Sequence, residues 1–516
     1  MTSSRFSPVP GWCWVLLLTV LVLVVYSPSG ANEFVWDDHF FVEGNAAVQG
    51  KAPLSSLWLK PVKFERAILP LWRPLPLTVY AALRSVFGTS AAAFHRASVL
   101  LHAAVALLLF LWFVEMRISR PVAFAASALY AVHPFLTSAV TYVAGMADPL
   151  AAFFSLTALL LWQRAFRSVG DAPQGKLWQK GLLAGCLAWL CALFCKEWAL
   201  LVPALAAISF AGGGRKRSAG ESLFWKAGFW TCLFIAGIYV CFRSEVFAKS
   251  ECISSIRMDF LERIACAVMS SGFYQLGGLF PVNLRMDRYY HLAKPEFWWW
   301  FMAGASLLFG WFFAVRQFKD AWFKSGAWRG FAWFWIFWLF HSNLPFVLNA
   351  HVAEHWMYFA YMGLAWAGAD LWTSCAPSLR PRARGIVGMT LVLFGLFWAG
   401  RTFARQLDWQ DDFVFFQRNI AAGADTTRSH LSLGSAYARE GDFANAAAQF
   451  SKVLEKDPGH FQAAVALARC HFFMGDYAKA AAIVRQMRAR HPADPVLGWF
   501  EADCIKALQA KKAKSH

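Results

Sequence analysis

Three observations predict an all-α fold in which a polytopic membrane region of about eleven transmembrane helices is followed by a helical-repeat domain. The first is composition. Of 516 residues, 58% are hydrophobic, 17% aromatic and only 16% charged, with a mean hydropathy of +0.41. Soluble domains lie nearer half apolar and about a quarter charged. The second is that the apolar residues come in long blocks rather than at amphipathic spacing. The third is a 34-residue internal repeat after residue 402.

The blocks long enough to cross roughly 30 Å of hydrocarbon fall at 11–27, 97–114, 121–137, 141–163, 178–195, 197–212, 224–242, 297–315, 327–347, 352–373 and 385–402. The first has the look of a signal peptide, but the many blocks that follow favour an uncleaved first helix. A further candidate, 264–281, contains Ser270, Ser271, Gly272, Gln275, Gly277 and Gly278, and is expected to be re-entrant or interfacial. Lysine and arginine concentrate in the loops near 117–120, 164–180, 215–226, 316–329 and 380–384, against only Glu115, Asp171, Glu221 and Asp320. That alternation is the positive-inside pattern. It places the outer loops 28–96 and 243–296, the end of block 327–347 and the C-terminal region on the opposite face. The net charge of +18 is therefore an orientation signal, and no nucleic-acid footprint is expected. The 11 cysteines are scattered without a CxxC and read as small buried hydrophobes.

Composition divides the chain into a membrane domain, 1–402, and a repeat domain, 403–516. In the latter, Gly441-Asp442-Phe443 returns as Gly475-Asp476-Tyr477, Ala446 as Ala480 and Pro458 as Pro492. These are tetratricopeptide (TPR) features: small residues let paired helices approach, and proline ends the second helix. Repeats are expected over about 427–460 and 461–494, with a capping helix over 495–510. Such arrays bind peptides or partner proteins in a groove; a spacer or dimer contact is the alternative.

The candidate chemistry begins at Trp36-Asp37-Asp38, two adjacent carboxylates at the exit of the first block. Charges there are costly to desolvate and mark function. One can serve as a base while the other orients; position favours Asp37 as the base, with Asp38 in support. Arg73, in Trp72-Arg73-Pro74-Leu75, is either a phosphate ligand or a snorkelling headgroup-level arginine. His95 and His102 share a helix face and read as core histidines. His133 ends one block, and Asp148 lies early in the next. Lys196-Glu197 forms a tight turn, as a local ion pair or as a contact to an anionic ligand. Arg285 and Arg288, among tyrosines at 281–290, suit sugars and phosphates. His351, Glu354, His355 and Tyr358 have spacings that would line one helix face. His351 and His355 could hold zinc, but no third ligand is evident, and a hydrogen-bonded polar face is expected instead. No metal site is assigned.

Together these residues resemble a known family. An outward acidic pair followed by a basic-Pro-Leu motif is similar to the GT-C glycosyltransferases, multispanning enzymes that use lipid-phosphate sugars. The resemblance sharpens with Phe94-His95 and Leu101-His102, Val132-His133-Pro134, Tyr142-Val143-Ala144-Gly145 to Asp148, Lys196-Glu197, and Val352-Ala353-Glu354-His355 to Tyr358. Followed by TPRs, these motifs resemble the transmembrane-and-TPR protein O-mannosyltransferases. The family members from eukaryotes carry more repeats than this chain.

The resemblance implies a polyprenyl-phosphate sugar donor, mannose by analogy, with its tail among membrane lipid. Its phosphate would lie near Arg73, and Arg285 or Arg288. Asp148, Glu354 and His355 would complete the donor site, with His95, His133, Lys196 and Tyr358 in support. Asp37 or Asp38 would take the proton from a Ser/Thr hydroxyl of an acceptor protein held by the TPR groove. A glycan or lipid acceptor, or a non-enzymatic TPR scaffold, are the other readings. The absence of an Asn-x-Ser/Thr sequon favours a bacterial inner membrane with periplasmic repeats over an ER membrane with lumenal ones. A reporter fused after residue 420 is expected on the face opposite the basic loops; a cytoplasmic signal contradicts the eleven-span count.

Overall fold

The computed structural model describes residues 10–60, 63, 64, 67, 68, 71–169, 177–210, 218–248, 258–286, 288, 290, 292–492 and 494–514. Residues 211–217, which include part of the basic loop near 215–226, and residues 287 and 289 of the 281–290 segment lie outside the described residues. The chain forms two compact units, Met1–Leu407 and Asp408–His516. Both are helical; among the described residues the only strands are a two-residue antiparallel pair, Lys63–Phe64 with Ala67–Ile68.

Among the described residues, five helices are long and apolar enough to cross a membrane: Ala91–Glu115, Val143–Ser168, Ala219–Glu245, Pro295–Gln317 and Pro381–Trp409. Arg120–Ala131 and Pro134–Val140 together are also long and apolar enough, but are bent by 53° at the break between them, as in a broken span or a re-entrant loop. The break falls at His133-Pro134, where proline removes a backbone donor and drives the preceding residue out of helical geometry. Gly11–Val25, Leu177–Leu193 and Glu197–Phe210 are shorter apolar helices. The sequence blocks 327–347 and 352–373 are likewise short helices, Ala327–Phe340 and Ala360–Cys375, joined by irregular backbone and a 3-10 turn, Glu354–Met357. The 264–281 candidate is a helix, Phe260–Gly272, opened by a capping box from Asp259 and Glu262 and continued by a π-helical turn, Phe273–Gly277.

Small residues set the closest helix contacts, as they do in lipid, where apolar burial does not drive helices together. Gly330 and Gly363 face each other between Ala327–Phe340 and Ala360–Cys375. A Cβ on Gly330 would lie 2.4 Å from the Gly363 carbonyl oxygen and 2.5 Å from the Ala367 nitrogen. The last helix of the unit extends to Gln406, past the composition change at residue 402. The reason is burial: Thr402, Arg405 and Gln406 are almost wholly enclosed in the first unit.

The second unit is a helical-repeat array. Thr427–Arg439 pairs with Phe443–Lys456, Phe461–Phe473 pairs with Tyr477–Arg490, and Asp412–Ala421 and Pro495–Lys514 flank them. The recurring Gly-Asp has a mechanical role. Gly441 and Gly475 take φ of +79° and +78°, which glycine adopts without steric cost. Asp442 then accepts the Asn445 N–H at 3.0 Å and caps the next helix. Ala446 and Ala480 are fully buried at equivalent places. Phe443 and Phe473, one from each repeat, stack with centroids 4.7 Å apart.

Gly330→Ala is expected to destabilise the first unit by about 1–3 kcal/mol through overpacking. Gly310→Ala, where the new methyl meets nothing within 4 Å, is expected to be neutral. Thermal unfolding of the two purified variants in detergent compares them.

Candidate active site

The segment from the first helix to the acidic pair is held tightly. Asp38 is fully buried. Its Oδ2 accepts the Val35 N–H at 3.2 Å, and its Oδ1 accepts the Ala144 N–H at 2.6 Å. Both carboxylate oxygens are thus engaged by backbone donors on two distant segments. Between them Trp36 takes a φ of +56°, a left-handed conformation that costs a bulky residue roughly 1–2 kcal/mol. The Trp36 ring stacks on Tyr142, with centroids 5.8 Å apart and planes 20° apart. The 142–145 stretch is pinned in turn, since Tyr80 donates its hydroxyl to the Val143 carbonyl at 2.7 Å. His95 Nε2 bonds to the Glu33 carbonyl at 3.1 Å, so His95 supports this segment. Burial pushes the Asp38 carboxyl up to about 7; the Ala144 and Val35 N–H groups oppose the shift and the charge of Asp37 adds to it. Asp37 itself is half-buried.

A second cluster surrounds Arg73. Its Nε and Nη2 donate to the two carboxylate oxygens of Glu197 at 3.2 and 2.9 Å. Arg243 reaches the same carboxylate at 2.6 Å and also donates to Tyr239. Lys196 turns the other way, placing its ammonium 2.6 Å from Asp148, which also accepts the Trp198 indole N–H at 3.2 Å. The local Lys196–Glu197 ion pair considered from the sequence is therefore corrected: each partners a distant residue. Lys196 is extended, at φ −155° and ψ 142°, so successive side chains point to opposite sides. Arg73 remains 27% exposed by side chain, whereas Lys196 and Asp148 are 9% and 2% exposed.

A third cluster centres on Glu354, which is fully buried. One carboxylate oxygen accepts Arg288 at 2.9 Å and the Arg285 backbone N–H at 2.8 Å; the other lies 3.9 Å from Arg405. Arg285 reaches Glu296 at 3.6 Å, and the Arg288 guanidinium lies 4.7 Å over the Phe273 ring. The expected helix face through His351, Glu354, His355 and Tyr358 is also corrected. Val352 bridges Arg288 in an antiparallel backbone pairing, and Ala353 is extended, so helical geometry begins only at Glu354. His351 instead accepts the Tyr290 N–H at 2.9 Å. Tyr358 bonds His102 Nδ1 at 2.7 Å, while His102 Nε2 bonds the Ala131 carbonyl at 3.0 Å. His133 Nδ1 accepts the Phe135 N–H, and its ring packs 4.5 Å from Trp398.

Eight of the twelve predicted residues fall into three groups; Asp37, His133, His355 and Tyr358 lie outside them. Asp38 and His95 brace the acidic segment. Arg73, Asp148 and Lys196 join in the second cluster. Arg285, Arg288 and Glu354 form the third. Arg243, Arg405, Trp198 and Tyr80 were missed. A cation at the end of an apolar block was the available signal for both arginines; nothing in the sequence marked Trp198 or Tyr80.

A tetratricopeptide repeat family model matches residues 437–498. Among curated proteins, protein O-mannosyl-transferase Tmtc1 of Drosophila melanogaster is 31% identical over 35% of this chain and 21% of its own length. The human protein O-mannosyl-transferase TMTC1 is 29% identical over 36% of this chain and 22% of its own length. Protein O-mannosyl-transferase Tmtc3 of Drosophila melanogaster is 23% identical over 92% of this chain and 58% of its own length. The matched stretches therefore span between about a fifth and three fifths of these relatives. Among solved structures, ArnT from Cupriavidus metallidurans bound to undecaprenyl phosphate has a TM-score of 0.44 at 16% identity, over 92% of this chain and 80% of that one. The chain is a polytopic α-helical membrane protein with a C-terminal tetratricopeptide array, and it resembles the transmembrane-and-TPR protein O-mannosyltransferases.

Asp148→Asn leaves the Lys196 ammonium buried without its counter-ion, which costs about 3–5 kcal/mol. The thermal midpoint is expected to fall well below that of the wild type. The double variant Asp148→Leu, Lys196→Met, with no charge to strand, is expected to recover much of the loss.

Proposed function

We propose that the chain is a membrane glycosyltransferase that moves a sugar, mannose by analogy with its relatives, from a polyprenyl-phosphate donor to Ser/Thr hydroxyls of proteins. The observation that carries this reading is the division of labour in the acidic pair. Asp38 is buried with both oxygens on backbone N–H groups, while Asp37, on the same turn, is half-buried, which supports giving Asp37 the role of meeting an incoming hydroxyl.

Asp37 accepts the hydroxyl proton as the acceptor oxygen attacks the anomeric carbon. The bond from that carbon to the phosphate oxygen breaks, configuration inverts, and the polyprenyl phosphate leaves with the bonding pair. Arg73, the partly exposed cation of its cluster, meets the charge that develops on the phosphate. Glu197 keeps the Arg73 guanidinium oriented, and the Asp148–Lys196 pair supports the same cluster. The Glu354 cluster holds Arg285 and Arg288 in place. The tetratricopeptide unit raises the effective concentration of the acceptor protein. The charge alternation of the loops puts the acidic pair on the face opposite the basic loops, and the absence of sequons favours the periplasmic face of a bacterial inner membrane.

Asp37→Asn is expected to slow transfer about 10²–10⁴-fold in an assay with purified protein, polyprenyl-phosphate mannose and a Ser/Thr peptide, with donor binding retained. The rate is further expected to rise with pH through about 7 as Asp38 ionises and both its oxygens become full acceptors for Val35 and Ala144. Asp38→Asn removes that rise. The same group makes folding less stable as pH climbs from 3.8 towards about 7, because over that range the folded chain holds a proton that the unfolded chain has released. Full activity in both single variants contradicts the acidic-pair mechanism.

A further inference from the structure

The acidic pair lies five and six residues beyond Asn32, and the backbone leading to it is anchored by a residue more than 370 positions away. Gln406, in the last turn of helix Pro381–Gln406, is completely buried. Its Nε2 donates to the Val25 carbonyl at 2.7 Å and to the Thr402 carbonyl at 3.2 Å. Its Oε1 accepts the Ser29 N–H at 3.1 Å. Its own backbone carbonyl accepts the Asn32 side-chain N–H at 3.1 Å. Val25 ends the first helix, so its carbonyl belongs to the last turn, which lacks intrahelical partners. One amide therefore closes the C-terminus of the first helix and fixes the 3-10 turn Ser27–Ala31 that follows it.

Beyond that turn the chain has two further anchors, His95 at the Glu33 carbonyl and Asp38 at Val35 and Ala144. An amide sealed from water and using both its donor and acceptor capacity imposes geometry, since a buried polar group left unpaired loses its solvation without replacement. Residue 407 is the last of the membrane unit and Asp408 the first of the repeat unit.

We propose that Gln406 is a positioning residue for the acidic pair: through Val25, Ser29 and Asn32 it sets where the Asp37 carboxylate stands relative to the acceptor hydroxyl. This rests on the transferase reading above. Displacing a reacting group by about 1 Å costs roughly a hundredfold in rate, so the anchor acts on turnover rather than on donor affinity.

Gln406→Met keeps the side-chain size and removes both polar atoms. Thr402→Val is the control. It lies one turn earlier on the same helix, is equally buried, and donates to the Val132 carbonyl at 2.7 Å, away from the acidic segment. With polyprenyl-phosphate mannose and a Ser/Thr peptide, Gln406→Met is expected to lower kcat about 10- to 100-fold and to leave KM for the donor within about twofold. Amide hydrogen exchange within residues 29–38 is expected to quicken, with exchange elsewhere unchanged. Thr402→Val is expected to match the wild type in both measurements. Wild-type kcat in Gln406→Met overturns the proposal, as does a loss shared equally by Thr402→Val. If the wild type itself transfers no sugar, the transferase reading falls. Exchange in 29–38 then decides the anchor alone, and an unchanged pattern overturns it.

Discussion

The Asp38 carboxylate is the interaction on which the candidate site depends. A buried carboxylate survives in an apolar body only when its oxygens are satisfied, and here both are met by backbone N–H groups, at Val35 and at Ala144. That requirement draws the segment after the first helix onto the 142–145 stretch. It holds Trp36 in a left-handed conformation and sets the position of Asp37. Strain of this kind persists only where the surroundings over-determine it, and Tyr80, His95 and Gln406 supply the surrounding bonds.

The same cost of burying charge organises the rest of the membrane unit. Asp148 with Lys196, Glu197 with Arg73 and Arg243, and Glu354 with Arg288 bring together segments that are far apart in the chain. Removing one partner of such a pair is far more damaging than removing both, so these contacts fix the relative placement of the helices that carry them. They also separate the roles of the cations. Arg288 is enclosed against Glu354, whereas Arg73 keeps an exposed edge. Between the helices themselves, glycine contacts such as Gly330–Gly363 bring backbones close enough for these networks to close.

Much of this was legible in the sequence, because ionisable residues are rare in apolar blocks and each one stands out. Asp37, Asp38, Arg73, Asp148, Lys196 and Glu354 were visible for that reason, and the repeat domain was visible from the 34-residue return of Gly-Asp-aromatic. What the sequence could not show was pairing. Arg73 and Glu197 are 124 residues apart, and Arg288 and Glu354 are 66 apart. Lys196 and Glu197 invited a local reading that the extended backbone at Lys196 forbids. His351 to Tyr358 matched helical spacing, yet the backbone through Ala353 is extended, so periodicity misled where secondary structure changes mid-motif. Apolar length alone counted eleven blocks; among the described residues five appear as single helices of spanning length, and a bent pair breaks at His133-Pro134. Arg405 and Gln406 escaped notice because they follow the point where composition turns soluble-like, although packing keeps them inside the first unit.

The central claim is that this chain places a hexose on Ser/Thr hydroxyls through Asp37. The most direct measurement is glycopeptide mass spectrometry on three otherwise identical cell lines: one with the wild-type chain, one with Asp37→Asn, and one with none. The account predicts Ser/Thr-linked hexose on a defined set of proteins in the first line and its loss in the other two. The same hexose on the same peptides in all three would contradict it.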